Sequence, residues 1–334
     1  MGVSVVALAT LLSTGTNNIE KSFKTVLLQK EDRLKEVKFM QQFTQELKEF
    51  ALAQGADLVG IAKAADLDEY FTPPHRPQDL MPNVKTIIVM ALHIPDGSIE
   101  AQKREVTNYS YSIFGFTHLN KELDALTYRV TRYMEKGGYE ALPIPGKGSH
   151  YWEQKKFYGP FSFRHAAVAA GLGEIGWSGL FLTPEFGSRQ RLTVILTDAA
   201  LITDPPFAGS VCTKCFDCIK NCPAGAIQKT EWTKTIGGRP LTYGVVDGDR
   251  CYWVARGLTT KAWPNAPFNP NVDVEKTVPM TAEEKFNALW KKRDARLRAS
   301  EHDVDSYGAT ICGRCMAFCS AGSRAMQARM KRNI

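Results

Sequence analysis

Cys212-T-K-Cys215-F-D-Cys218-I-K-N-Cys222-Pro223 is the stretch on which the reading of this chain turns. Two-residue gaps let three thiolates converge on one [4Fe–4S] cluster from a short looped segment. The fourth cysteine, three residues on and followed by proline, points to a second cluster. The remaining cysteines are Cys251, Cys312, Cys315 and Cys319. Cys312-G-R-Cys315-M-A-F-Cys319 is a C-x2-C-x3-C half-motif without its first cysteine, and Cys251 is the residue left to supply it. Crossed ligation of the two-cluster ferredoxin kind assigns Cys212, Cys215, Cys218 and Cys319 to one cluster and Cys222, Cys251, Cys312 and Cys315 to the other. Spacing alone leaves the distal pairing open. Zinc prefers two separated C-x2-C pairs with four ligands per metal, and disulfides need an oxidising compartment for which the sequence carries no clear secretory signal.

At 334 residues the chain has room for about two domains, and 44% hydrophobic with 23% charged residues is ordinary for a globular protein. The formal net charge is +7, much of it in short runs such as Lys291-Lys292-Arg293, Arg296, Arg298 and the stretch from Arg329 to Arg332. Such runs are most often solvated helix faces, and the partner they would suit is an acidic electron donor or a nucleic-acid backbone. Val3 to Leu12 is apolar, too short to span a bilayer and preceded by no lysine or arginine. No twin-arginine pair lies ahead of it, so the expected location is the cytoplasm.

Residues 1–38 read as an N-terminal extension. Phe39, Phe43, Leu47 and Phe50 then recur at helical spacing up to Gly55, and Leu58 to Ala62 resembles a short buried strand. Thr86-I-I-V-M-A-L-His93 is a continuous apolar run that predicts a central strand covered on both faces. An aromatic loop follows. Thr117 is the expected N-cap of a helix carrying Leu119, Leu123, Leu126, Val130 and Tyr133 on one face and ending at Gly137-Gly138. Ala141 to Ile144 is extended, Phe163 to Ala170 helical, the glycines at 171, 173, 176 and 179 form a tight turn, and Leu192 to Thr197 is another strand. The fold class is α/β (α+β), closed by the linker at Asp204. Residues 229–311 form a long insertion between the two cysteine half-motifs, and such insertions commonly cover a site.

Ala170-G-L-G-E-I-G-W-S-G-L-F-L-T-P-E-F-G-S-R-Q-R-L-T-V-I-L-T-Asp198, followed by C-x2-C-x2-C-x3-C-P and by Asp249-Arg-Cys251, is similar to the shared core of reductive dehalogenases and epoxyqueuosine reductases. The likeness covers about residues 40 to 320 and is closer to the reductive dehalogenase-like proteins. It implies a nitroreductase-like corrinoid-binding domain over 39–205, then a ferredoxin-like domain with two [4Fe–4S] clusters over 206–334. It also implies a base-off cobalamin whose cobalt breaks a carbon–halogen or carbon–oxygen bond with electrons from the clusters. Gly171, Gly173, Glu174, Gly176, Trp177 and Arg164 are then the expected corrinoid contacts. Read without the likeness, the glycines are a plain tight connection. A nicotinamide site is disfavoured, because the G-x-G-x-x-G match follows a helical segment and no βαβ unit surrounds it.

At the reaction centre the chain departs from these families. Aligned on Tyr109 and His118, the loop Tyr109-S-Y-S-I-F-G-F-T-His118 has Phe116 where epoxyqueuosine reductases carry an aspartate, and Trp177 stands where the families place a helpful cation. Tyr111, Tyr109 and His118 remain as candidate proton donors, with Arg164, Arg189 or Arg191 to replace the missing charge. Tyr243, Tyr252, Trp253, Trp263 and the run His150-Tyr151-Trp152 read equally well as pocket wall or packing. The expected activity is reductive cleavage of a small-molecule substrate, with electrons from a donor such as ferredoxin or flavodoxin. Two alternatives stand beside it: tRNA modification of the epoxyqueuosine reductase type, which Phe116 disfavours, and a non-catalytic electron-transfer or corrinoid-handling protein. Nothing in the sequence indicates a membrane-anchor partner.

Overall fold

A computed structural model of the chain describes residues 33–68, 71, 73–106, 108–145, 162–255 and 311–332, with positions 280, 281, 283, 284 and 287 between the last two segments. The N-terminal stretch before residue 33 lies outside the described residues. So do His150, Tyr151, Trp152, Trp263, the basic residues from Lys291 to Arg298, most of the insertion beyond residue 255, and the side chains of Asp249, Tyr252 and Trp253. The chain divides into two units, Met1–Glu46 and Leu47–Ile334. In the first, residues 33–46 are helical; in the second, 47–53 are helical and run into a turn at Gly55, whose φ is +103°. Helix therefore starts ahead of the Phe39 expected from the apolar spacing, because Arg33 to Lys38 is built mainly from strong helix formers.

The centre of the second unit is a four-stranded antiparallel sheet of β1 (Leu58–Lys63), β2 (Thr86–His93), β3 (Ala141–Ile144) and β6 (Gln190–Thr197), in the order β1-β2-β6-β3. Val89 pairs with Val194 and Ile88 with Ile195. Side chains alternate across a strand, so Ile87, Val89, Ala91, Val194 and Leu196 face the helix Phe163–Ala169 through Ala166, Ala167 and Val168. The other face takes the helix Leu119–Lys136, where Thr127 meets Thr193 hydroxyl to hydroxyl at 2.8 Å. Seven of the eight β2 residues are buried, as a strand with two covered faces requires. Leu123, Leu126, Val130 and Met134 form the buried stripe of that helix, each contributing about 2 kcal/mol by apolar burial. Tyr133 turns instead onto Phe50, ring centroids 4.5 Å apart.

Residues 109–136 are one uninterrupted helix, not an aromatic loop followed by a helix capped at Thr117. Tyr111–His118 is wound as a π-helix, and the Thr117 hydroxyl donates to the carbonyl of Ser112, five residues back, at 3.1 Å. The wide turn follows from Gly115: a Cβ there would lie 2.6 Å from the Tyr111 ring and 2.9 Å from Ile94. Short π segments of this kind recur beside functional sites.

The glycine-rich stretch after Phe163–Ala169 folds into a small hairpin, β4 (Glu174–Ile175) against β5 (Phe181–Leu182). Beyond the first cysteines the insertion begins as a second hairpin, β7 (Ile227–Ile236) against β8 (Arg239–Val246), followed by the helix Gly248–Ala255. At the C-terminal end of the described chain, the helix Ser320–Arg332 is tied to the sheet by charge. Arg189, fully buried, holds Asp96 at 2.7 Å and Glu100 at 2.6 Å, and Arg329 shares Asp96. Among the described residues no helix is long and apolar enough to cross a membrane.

Candidate functional site

Cys212, Cys215, Cys218 and Cys319 line one small cavity, with Gly176, Trp177 and Ser320 also in its wall. The loop reaches this shape by entering left-handed backbone at Lys214 (φ +51°) and Phe216 (φ +60°). That conformation costs on the order of 1 kcal/mol per residue, but it curls amide N–H groups into concavities that suit anionic iron–sulfur groups. Glu174 anchors the start of the loop, one carboxylate oxygen accepting the amides of Val211 and Cys212, both at 2.6 Å. The Trp177 amide donates to Cys212 Sγ at 3.4 Å, and Ser320 Oγ lies 3.4 Å from Cys215 Sγ. Burial pushes the Cys218 thiol up to about 12, and the neighbouring Cys319, Cys212 and Cys215 add to the rise.

The other four cysteines gather deeper. The Ala226 amide donates to Cys222 Sγ at 3.3 Å. Cys251 rides on the helix Gly248–Ala255, its amide bonded to Asp247 O at 3.1 Å. The returning chain is pinned when the Cys312 amide bonds Ala255 O at 3.2 Å, and Cys315 follows on the short helix Arg314–Ala317. Burial raises Cys312 to about 12, with Cys251 and Cys222 pushing it further up. Cys315 rises well above the ordinary thiol value through burial, then through Cys312, Cys251, Cys222 and Cys218. Cys319, Cys212 and Cys215 are thus the cysteines that act most on Cys218, and Cys312, Cys251 and Cys222 those that act most on Cys315. Four thiols so close resist ionisation together unless a cationic centre joins them, and soft thiolates select iron–sulfur or zinc centres. Among the described residues no group of three or more His, Cys, Asp or Glu side chains is arranged to hold a metal ion.

A larger cavity, about 530 Å³, opens beside the glycine hairpin. Its walls come from far-apart segments: Phe71, then Ser162, Arg164 and His165, Ile175 and Gly179, Trp232, and Tyr243 to Val246 of β8. His165 is buried with both ring nitrogens engaged, Nδ1 to Ser162 Oγ at 2.7 Å and Nε2 to Tyr243 Oη at 3.1 Å. Burial, helped by the Arg164 charge, lowers its pKa to about 3. Arg164 donates to the carbonyl of Gly179, and its charge pulls the Cys251 thiol down against the burial that raises it. Gly179, Gly244, Ile175, Val245 and Val246 form an apolar stretch of the cavity wall, and Phe71, Trp232 and Tyr243 set aromatic rings around the rest.

Of the six residues expected at a corrinoid, Arg164 lines this cavity. The others have different neighbours. A Cβ on Gly171 would lie 2.1 Å from Pro205 O and one on Gly173 2.0 Å from Leu182 O, so these glycines make room for the chain itself. Glu174 serves the cysteine loop, and Gly176 and Trp177 line the first cysteine pocket. Trp177 also joins the two regions: its indole N–H donates to Gln228 O at 3.0 Å, and its carbonyl accepts the Gly244 amide at 3.0 Å. Tyr109, Tyr111 and His118 are not in the cavity wall. Tyr109 and His118 are exposed. Tyr111 is buried against Ile94, Ile99 and Met316, and burial pushes its hydroxyl up to about 12 against the opposing pull of Arg191. Arg191 lies over the Phe116 ring at 4.3 Å and bonds Asn120 at 2.8 Å, while Arg189 is taken by Asp96 and Glu100. The Ser162–His165–Tyr243 chain was not legible as a unit, since Tyr243 lies 78 residues beyond His165. The adjacent Arg164-His165 pair was its nearest local signal.

No family model matches the chain. Over 186 residues it is 29% identical to a tetrachloroethene reductive dehalogenase of Desulfitobacterium hafniense, covering 52% of this chain and 31% of that protein. Over 207 residues it is 28% identical to an epoxyqueuosine reductase of Synechococcus sp. (strain RCC307), covering 55% of this chain and 60% of that one. The chain is similar to both groups over about half its length. The matched stretch thus spans about a third of the dehalogenase and less than two thirds of the epoxyqueuosine reductase. A crystal structure of an epoxyqueuosine reductase with a modified tRNA-Tyr stem loop superposes with a TM-score of 0.50 at 17% identity, over 84% of this chain and 66% of that one, a likeness of fold. The relatives' names are those of reductases, and the mixed α/β architecture is the one their fold leads to expect.

Proposed function

We propose that the chain is a corrinoid- and iron–sulfur-dependent reductase of the reductive dehalogenase type, with a nitroreductase-like core over 39–205 and a ferredoxin-like domain over 206–334. The observation that supports this reading is the convergence of Cys212, Cys215, Cys218 and Cys319 on one cavity wall, beside a 530 Å³ cavity lined by Arg164. Cys212, Cys215, Cys218 and Cys319 would hold one [4Fe–4S] cluster, and Cys222, Cys251, Cys312 and Cys315 the other. Arg164 and the apolar wall of Gly179, Gly244 and Val246 would hold the corrinoid. Bound there, the clusters supply single electrons and the corrinoid a reduced cobalt that breaks a carbon–halogen or related bond.

The chain's own residues hold, exclude and protonate. His165 has both ring nitrogens committed to Ser162 and Tyr243, so its role would be to position Tyr243, and its lowered pKa keeps it uncharged. Tyr243 replaces Tyr109, Tyr111 and His118 as the proton donor in this reading, because it lines the cavity and its hydroxyl is held by His165. Phe116, engaged with Arg191, supplies no acid where epoxyqueuosine reductases carry aspartate, which favours the dehalogenase type over tRNA modification. The test is halide release from a panel of chlorinated and brominated aromatics and alkenes by anaerobically loaded protein under a low-potential reductant. Release is expected, with turnover falling about a hundredfold in Tyr243→Phe, the scale of a lost general acid. Conversion of epoxyqueuosine-containing tRNA with no halide release would overturn the assignment.

A further inference from the structure

We propose that the face around Cys215 is the docking surface of an acidic one-electron carrier protein, and that electrons enter the chain there. The inference rests on the cluster reading above. Cys215 is the one exposed cysteine of the eight; the other seven are partly buried. Short-range electron transfer requires a donor to reach a cluster edge, and Cys215 is where the described surface offers one.

Four cations surround that edge. Lys214 adjoins Cys215 and lies 5.4 Å above the Trp177 ring. Arg324 donates to Ser320 Oγ at 2.9 Å, and the same oxygen lies 3.4 Å from Cys215 Sγ. Lys220 pairs with Asp217 at 3.2 Å. Lys103, bonded to Ser323 at 3.1 Å, brings a fourth charge from a different element and acts on the same Asp217. The nearby carboxylates are Asp217, Glu231, paired with Lys214 at 3.2 Å, and Glu174, held by the Val211 and Cys212 amides, so the cations outnumber the acids by one. The lysines extend into solvent, Lys214 with 51% and Lys220 with 71% of its side chain exposed. Exposed pairs of this kind are weak, and a partner's carboxylates can displace Asp217 and Glu231 from them. Positive charge around a redox edge favours an acidic carrier through faster encounter, an advantage that salt screens. A nucleic acid would meet the same charge but has no electrons to deliver at Cys215.

The test uses the full chain, anaerobically reconstituted, with a reduced acidic two-cluster ferredoxin as the probe, and follows loss of the visible cluster absorbance in a stopped-flow instrument. Wild-type reduction is expected to slow as salt rises. Lys214→Glu/Lys220→Glu should reduce the second-order rate at low salt by about tenfold or more and flatten its salt dependence. Iron content should be unchanged, and reduction by reduced methyl viologen, a small cation, should not slow. Equal ferredoxin rates in variant and wild type would overturn the proposal, as would a salt-independent wild-type rate or failure of ferredoxin to reduce a protein that methyl viologen reduces. Excess tRNA binding to wild type without slowing the ferredoxin reaction would also overturn it. A protein that takes up no iron would instead sink the cluster reading, and the docking proposal with it.

Discussion

The first cysteine pocket and the 530 Å³ cavity lie on either side of Trp177, yet they are assembled in opposite ways. The pocket takes three of its four thiols from Cys212 to Cys218 and only Cys319 from afar. The cavity draws on Phe71, Ser162, Arg164, His165, Ile175, Gly179, Trp232 and Tyr243 to Val246, brought together by packing and hairpin pairing. A locally wound site tolerates changes elsewhere in the fold. A site built from distant segments inherits every change in the elements that carry them. The contrast teaches where to strike: the glycine hairpin supports both regions, whereas the thiols and the histidine each belong to one.

The largest effect is expected from Gly171→Ala. Its φ of +70° disfavours any side chain, and a Cβ would sit 2.1 Å from the backbone oxygen of Pro205, which cannot swing aside. A loss of about 3 kcal/mol or more, read from the urea midpoint, should come with reduced iron loading and reduced cobalamin uptake together. Loss of one without the other would break the shared-support account. Cys315→Ser should separate the two thiol sets: about half the iron should go, while the spectrum of the cluster at Cys212, Cys215, Cys218 and Cys319 remains. Loss of all iron would mean that the sets do not load independently.

His165 tests the cavity side through pH. Its folded pKa of about 3 lies below the ordinary 6.5, so below pH 6.5 the unfolded chain binds a proton that the native state refuses. The stability tied to neutral His165 is therefore complete above pH 6.5 and is lost as pH falls from 6.5 toward 3, at about 1.4 kcal/mol per pH unit. In His165→Leu this slope should be absent, so urea midpoints of variant and wild type should converge as the solution is acidified. Parallel curves would contradict it. At neutral pH, Tyr243→Phe should cost about 1 kcal/mol by removing one hydroxyl from the imidazole. The smallest effect is expected from Ser320→Ala. Removing the hydroxyl 3.4 Å from Cys215 Sγ should lower the reduction potential of the first cluster in an EPR-monitored titration and leave the second unmoved.

How much of this was legible in the sequence follows the same division. Cysteine spacing is a local property, so the run from Cys212 to Cys222 could be read from it, whereas Cys251 entered only as the cysteine left over. Strand β2 was legible because an unbroken apolar run admits little but a doubly covered strand. The wide turn at Tyr111–His118 was not, since it depends on Gly115 meeting Tyr111 and Ile94 in three dimensions. Gly171, Gly173 and Glu174 carried a true signal that pointed to the wrong neighbour: a close approach was required, but by Pro205, Leu182 and the Cys212 loop. Tyr243 could not be told from a packing aromatic, because what distinguishes it is His165, contributed by a different element.

The central claim, two four-thiol cluster sites joined to a corrinoid cavity, is tested most directly by the metal content of the chain purified anaerobically with cobalamin supplied. Wild type should carry about eight irons and about one cobalt, and Val246→Trp, which fills the cavity, should lose the cobalt. Wild-type protein with its iron but no cobalt, or a Val246→Trp variant that binds cobalt as wild type does, would contradict the account.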